Sequence, residues 1–152
     1  MESSELLTLL NETGAMLEGH FLLTSGRHSD VYIEKFRILE NPSVLDDVCR
    51  EMAKVVKNQN IELVLGAAIG GILISGGVGR HLGVKHIFCE RVNGKMQLRR
   101  GFSITKGQRI VIVEDIITTG GSVIELIELA ADKGAMIVHV VNLVDRSSGN
   151  VD

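Results

Sequence analysis

A chain of 152 residues with 45% hydrophobic and 23% charged side chains supports one domain around one apolar core, and excludes a disordered or fibrous protein. The net charge of −3 argues against a nucleic-acid binder, whose domain is usually basic, and no apolar run reaches the ~18 residues of a membrane span. Met1-Glu2-Ser3-Ser4-Glu5 is too acidic for a basic leader, and Cys49 and Cys89 have no CxxC spacing, so a reduced, cytoplasmic protein without a protein-held metal is expected.

Leu6, Leu7, Leu9 and Leu10 give one apolar face to a helix over 4–13, capped by Ser3 or Ser4 and ended at Gly14. Two extended segments from Gly19 to Ile33 flank Ser25-Gly26-Arg27-His28-Ser29 and read as a β-hairpin-like arm. Asn41-Pro42-Ser43 breaks the chain before a helix over 44–57, with Val44, Leu45, Val48, Met52, Val55 and Val56 as its apolar stripe. A strand over 61–66 then runs through the small-residue loop Ala67-Ala68-Ile69-Gly70-Gly71 into a helix over 72–82. The strand over 84–89 leads to Asn93-Gly94, the strongest short hairpin signal in the chain, flanked by the cations Arg91, Lys95, Arg99 and Arg100. These make either a charged edge hairpin or a cationic flap for an anionic leaving group.

From Arg109 the chain runs Ile110-Val111-Ile112-Val113 and ends in Glu114-Asp115, which reads as a strand buried on both faces with two acids at its carboxyl end. Ile116-Ile117-Thr118-Thr119-Gly120-Gly121-Ser122 follows, before a helix over 123–133, a strand over 136–144 and Asp145-Arg146-Ser147-Ser148-Gly149. Alternating strands and helices argue for an α/β fold with a doubly wound parallel sheet. Two of its strand–loop–helix turns carry glycines, hydroxyls or small side chains before a helix N-terminus, a setting that favours anions. The second has neither the lysine of a nucleotide-hydrolase loop nor the spacing of a dinucleotide fingerprint. Carboxylates repel phosphate, so the acid pair beside this cradle has to face another part of the ligand, and a phosphorylated sugar satisfies both halves. A tight turn punctuated by solvated acids is the plain structural alternative.

The segment Val111 to Ser122 resembles the 5-phosphoribosyl-1-pyrophosphate (PRPP) motif of type I phosphoribosyltransferases, and Glu-Asp-Ile-Ile-Thr-Thr-Gly-Gly-Ser is most similar to the version in orotate phosphoribosyltransferases. The resemblance spans nearly the whole chain and implies one domain over 1–152, with a small N-terminal hood in 1–40, a core in 43–152 and a basic β-hairpin flap. It implies PRPP binding by Glu114, Asp115, Ile116, Ile117, Thr118, Thr119, Gly120, Gly121 and Ser122, with Ile69 and Gly70 in the pyrophosphate loop and Arg91 and Lys95 in the flap. Asp115 and Lys95 are the implied catalytic residues, and Thr118 and Arg146 the implied orotate contacts; Arg146 could otherwise pair with Asp145 or Asp152. The implied reaction converts orotate and PRPP to orotidine 5′-monophosphate and pyrophosphate in pyrimidine biosynthesis, with magnesium carried mainly by substrate oxygens. A homodimer with shared active sites is also implied, with neither nucleic acid nor membrane as partner. Thr24 stands where many members have lysine, the Lys-Asp-His-Gly segment of many relatives is absent, and members usually continue beyond the Asp-Arg-Ser-x-Gly segment, so a truncated C-terminus is an expectation. A phosphoribosyltransferase for another base and a PRPP-sensing regulator are the alternatives.

Overall fold

A computed structural model describes residues 16–22, 28–33, 36–117 and 121–145, giving the backbone alone for 16–22, 28–33, 116, 117, 121 and 143–145. The helix expected over 4–13, Thr24, Arg27, the loop residues Thr118, Thr119 and Gly120, and Arg146 lie outside the described residues. Strands β1 (Met16–Leu22) and β2 (His28–Ile33) pair antiparallel as a two-stranded sheet, where the hairpin-like arm was expected.

After the short helix α1 (Phe36–Leu39), the chain forms α2 (Pro42–Val56), β3 (Leu63–Ala67), α3 (Gly70–Leu82), β4 (Lys85–Val92) and β5 (Lys95–Leu98). It closes with β6 (Arg109–Ile117), α4 (Gly121–Asp132) and β7 (Met136–Asp145). The five-stranded sheet has the order β5-β4-β3-β6-β7; only β5, an edge strand, runs antiparallel to its neighbour.

Strand β6 explains the layering. Ile110, Val111, Ile112 and Val113 are all fully buried, as β-branched residues in a central parallel strand should be. Val111 and Val113 pack with Val64 against α1, α2 and α3, whereas Ile110 and Ile112 pack with Leu63 and Leu65 against Leu126 and Ala130 of α4. Helices therefore cover both faces. The Asn41 carboxamide oxygen accepts from the Val44 N–H at 3.3 Å and caps α2, with Pro42 in its first turn. Val55, counted in the stripe, is 51% exposed at its edge in the last turn, while buried Cys49 and Ala53 widen the stripe instead.

The connection from β3 through α3 leads to β4 on one side, and that from β6 through α4 leads to β7 on the other, with the two helices on opposite faces. The winding reverses between β3 and β6, and at such a switch point a crevice opens outside the carboxyl ends of the strands.

Candidate functional site

The register shows how the crevice opens. Strand β3 pairs with β6 only as far as Leu65↔Ile112, while β6 continues along β7 through Glu114↔Asn142 to Ile117↔Asp145. The acid pair was expected at the strand's end; it lies inside β6 instead, because β7 goes on supplying backbone partners after β3 has turned away. From Val113 onward the β3 side of β6 has no ladder partner, and Glu114 and Asp115 stand at that opening, 7% and 4% exposed. The Glu114 carboxylate accepts from the Asp115 N–H at 3.0 Å, which fixes one acid relative to the other.

The loop after β3 closes the opposite wall. The Ala68 N–H donates to the Cys89 carbonyl at 2.8 Å, and the Ala68–Ile69 peptide bond is cis. A Cβ at Gly66 would meet the Gly71 carbonyl oxygen at 2.5 Å, so glycine lets the loop fold back over its own strand. At Gly70 the place of a Cβ is taken by the Asp115 carboxylate. The loop after β3 and strand β6 are thus in direct contact through the absence of one side chain. Helix α3 starts at this point with Ile69 at its N-cap and no side-chain capping bond, in contrast to α2. Its first N–H groups are the kind of donor that a helix N-terminus offers to an anion.

A cavity of about 190 Å³ lies between these walls, lined by Ala67, Ala68, Ile69, Gly70, Arg91, Met96, Glu114, Asp115 and Ser122. It joins the N-terminal turns of α3 and α4, both positive ends of helix dipoles, to two carboxylates and one guanidinium. Of the residues singled out in the sequence, Ile69, Gly70, Arg91, Glu114, Asp115 and Ser122 come together here. Ile116, Ile117 and Gly121 are described by backbone alone, and the register sets residue 145 beside Ile117, immediately before Thr118.

The basic hairpin divides. The Arg91 guanidinium forks onto the Glu125 carboxylate of α4 at 2.8 and 3.0 Å and also donates to the Gly94 carbonyl at 2.9 Å. Arg91 thereby holds the Glu125 carboxyl below its ordinary range, with a smaller push the same way from the Met96 backbone N–H. Arg100 forks onto Glu90 at 2.6 and 2.9 Å and lies over the Phe88 ring at 5.8 Å. Lys95 lines a neighbouring groove between β5 and α4 together with Glu125, Glu128, Asp132 and Lys133; at the cavity its place is taken by Met96. Glu125 and Met96 were missed in the sequence. Glu125 could have been found three residues after Ser122, on the same face of the helix that opens at the loop.

Comparison with known proteins matches residues 36–152 to the phosphoribosyl transferase domain. The orotate phosphoribosyltransferase of Desulforamulus reducens is 47% identical over 152 residues, covering 100% of this chain and 80% of that relative. The crystal structure of orotate phosphoribosyltransferase from Aeropyrum pernix superposes with a TM-score of 0.79 at 31% identity, covering 95% of this chain and 84% of that one. Adenine phosphoribosyl transferase from Trypanosoma brucei, solved with AMP, pyrophosphate and ribose-5-phosphate, shares the fold with a TM-score of 0.72 at 21% identity, covering 99% and 85% of the two chains.

Proposed function

The chain belongs to the phosphoribosyl transferase family, among the orotate phosphoribosyltransferases, and from that premise we propose how its cavity moves a 5-phosphoribosyl group from PRPP to orotate. The carrying observation is that one cavity joins two helix N-termini to a carboxylate pair. PRPP needs the same combination, with an anion at each end and hydroxyls between them. The loop Thr118 to Ser122 and the start of α4 hold the 5′-phosphate, and the backbone at Ile69 and Gly70 holds the pyrophosphate. Glu114, Asp115 and the backbone of Ile116 and Ile117 seat the ribose, with Thr118 and Arg146 on orotate. Arg146 suits its carboxylate because a planar guanidinium can donate two parallel bonds.

In the transfer, the bond from ribose C1 to the pyrophosphate oxygen breaks with its electron pair leaving on oxygen, and a ring nitrogen of orotate bonds to C1 as its N–H proton passes to Asp115 or to solvent. Positive charge gathers on the ribose between these events, next to two carboxylates fixed in a nearly dry wall, and Asp115 can also take part in proton handling. Arg91 meets the departing negative charge. Two carboxylates in one cavity suit a cation that takes few protein ligands and keeps phosphate oxygens and water for the rest, so magnesium would be carried on PRPP and neutralise its charge there.

Residues 1–152 act as one domain. The molecule works as a two-fold homodimer with shared active sites; Arg91 serves the cavity of its own chain, while Lys95, which does not line that cavity, is the catalytic lysine donated across the interface. Buried free thiols at Cys49 and Cys89 fit the reducing cytoplasm. No helix among the described residues is long and apolar enough to cross a membrane. The test is pyrophosphate release from PRPP with orotate, uracil, adenine and xanthine in parallel. Orotate-dependent release is expected; release with another base alone overturns the orotate assignment, and release with none supports a PRPP-binding regulator.

A further inference from the structure

Arg91 lines the cavity, yet the side chain that holds it is not in the cavity. Its fork onto Glu125 joins β4 to α4 through two residues 34 positions apart in the chain, and Glu125 sits one helical turn beyond Ser122 of the cavity wall. Arg91 and Glu125 are 43% and 37% exposed, so a surface ion pair of this kind adds little to folding stability. Its geometric effect is larger. An arginine on a hairpin near the sheet edge can sample many rotamers, and a bidentate acceptor selects one before any ligand arrives.

Of the five N–H donors of a guanidinium, three are engaged by Glu125 and the Gly94 carbonyl; Nε–H and the second Nη2 proton have no partner among the described residues. The side chain can therefore hold its carboxylate and still donate to an anion. We infer that Glu125 is a positioning residue for pyrophosphate: acting through Arg91, it fixes the guanidinium at the cavity so that the remaining donors meet the leaving group. This rests on the reading of the cavity as a PRPP site.

The test is a cycle of wild type, Glu125→Ala, Arg91→Ala and the double variant, with Glu125→Gln as the conservative change. The PRPP and orotate KM values are measured, together with calorimetric affinity for magnesium pyrophosphate and the melting temperature. Glu125→Ala should weaken PRPP and pyrophosphate about five- to tenfold, with the orotate KM changed less than about twofold and melting little altered. Glu125→Gln, which keeps an acceptor for Arg91, should lose less. The double variant should be no worse than Arg91→Ala alone, because Glu125 has nothing to position once Arg91 is gone. Unchanged affinity in Glu125→Ala, tighter binding, or fully additive losses each overturn the inference; tighter binding would make Glu125 a competitor of the ligand. A protein that binds pyrophosphate but does not turn over orotate would remove the transfer reading and leave the cycle legible in binding, whereas normal turnover with an additive cycle would remove this inference alone. Failure of wild type to bind pyrophosphate overturns both.

Discussion

Gly70 and Asp115 illustrate what one position can decide. The Asp115 carboxylate occupies the volume of a Cβ at residue 70, so Gly70→Ala must displace either the acid or the loop after β3. Because the acid is proposed to seat the ribose, the variant should lower kcat/KM for PRPP by about ten- to a hundredfold, the scale of a small misplacement at a reacting centre. The orotate KM should change little. Wild-type PRPP kinetics in Gly70→Ala would show that this contact has no part in PRPP use. The acid pair and the small-residue loop were both legible in the sequence, since each carries its chemistry in adjacent residues. Glu125 and Glu90 were not, because a carboxylate that pairs across 34 or 10 residues leaves no local pattern. The cationic flap looked uniform for the same reason: two of its four cations are bound by acids of the same chain, one on α4 and one on β4.

Elements were read more securely where periodicity and breakers agreed. Asn41-Pro42 placed the start of α2 to within two residues, and the Asn93-Gly94 signal gave the β4–β5 hairpin, with both residues at positive φ. The end of β6 was misjudged because acids read as a strand stop, whereas the ladder to β7 carries them onward. Packing between elements was not legible. Gly77 of α3 lies so close to Cys49 of α2 that the thiol occupies the space of a Cβ there, and Cys89 is fully buried on β4. Burial pushes both thiols up to about 11 from an ordinary 9.0. A raised folded-state value means that their stabilising share is complete below pH 9 and is lost as pH rises toward 11, because the unfolded chain ionises first. Urea unfolding across this window should therefore show stability falling by as much as about 1.4 kcal/mol per pH unit for each thiol. The Cys49→Ala/Cys89→Ala variant should have a flatter profile, and an unchanged slope would contradict the assignment.

For the whole molecule, alternating strands and helices gave the α/β class, but the strand order that makes the site is a long-range property. Nothing local in Leu63–Ala67 or Arg109–Ile117 says that these strands are neighbours or that their connections leave in opposite directions. That arrangement turns two separate phosphate-loop signals into one cavity with an acid pair between them. The proposed transfer therefore depends above all on this crevice holding PRPP through its ribose. Asp115→Asn, nearly isosteric and uncharged, tests it most directly in steady-state kinetics with PRPP and orotate varied independently. kcat/KM for PRPP should fall about 10- to 150-fold, the scale of a lost charged hydrogen bond, with the orotate KM little altered. Unchanged PRPP kinetics, or equal losses for both substrates, would contradict it.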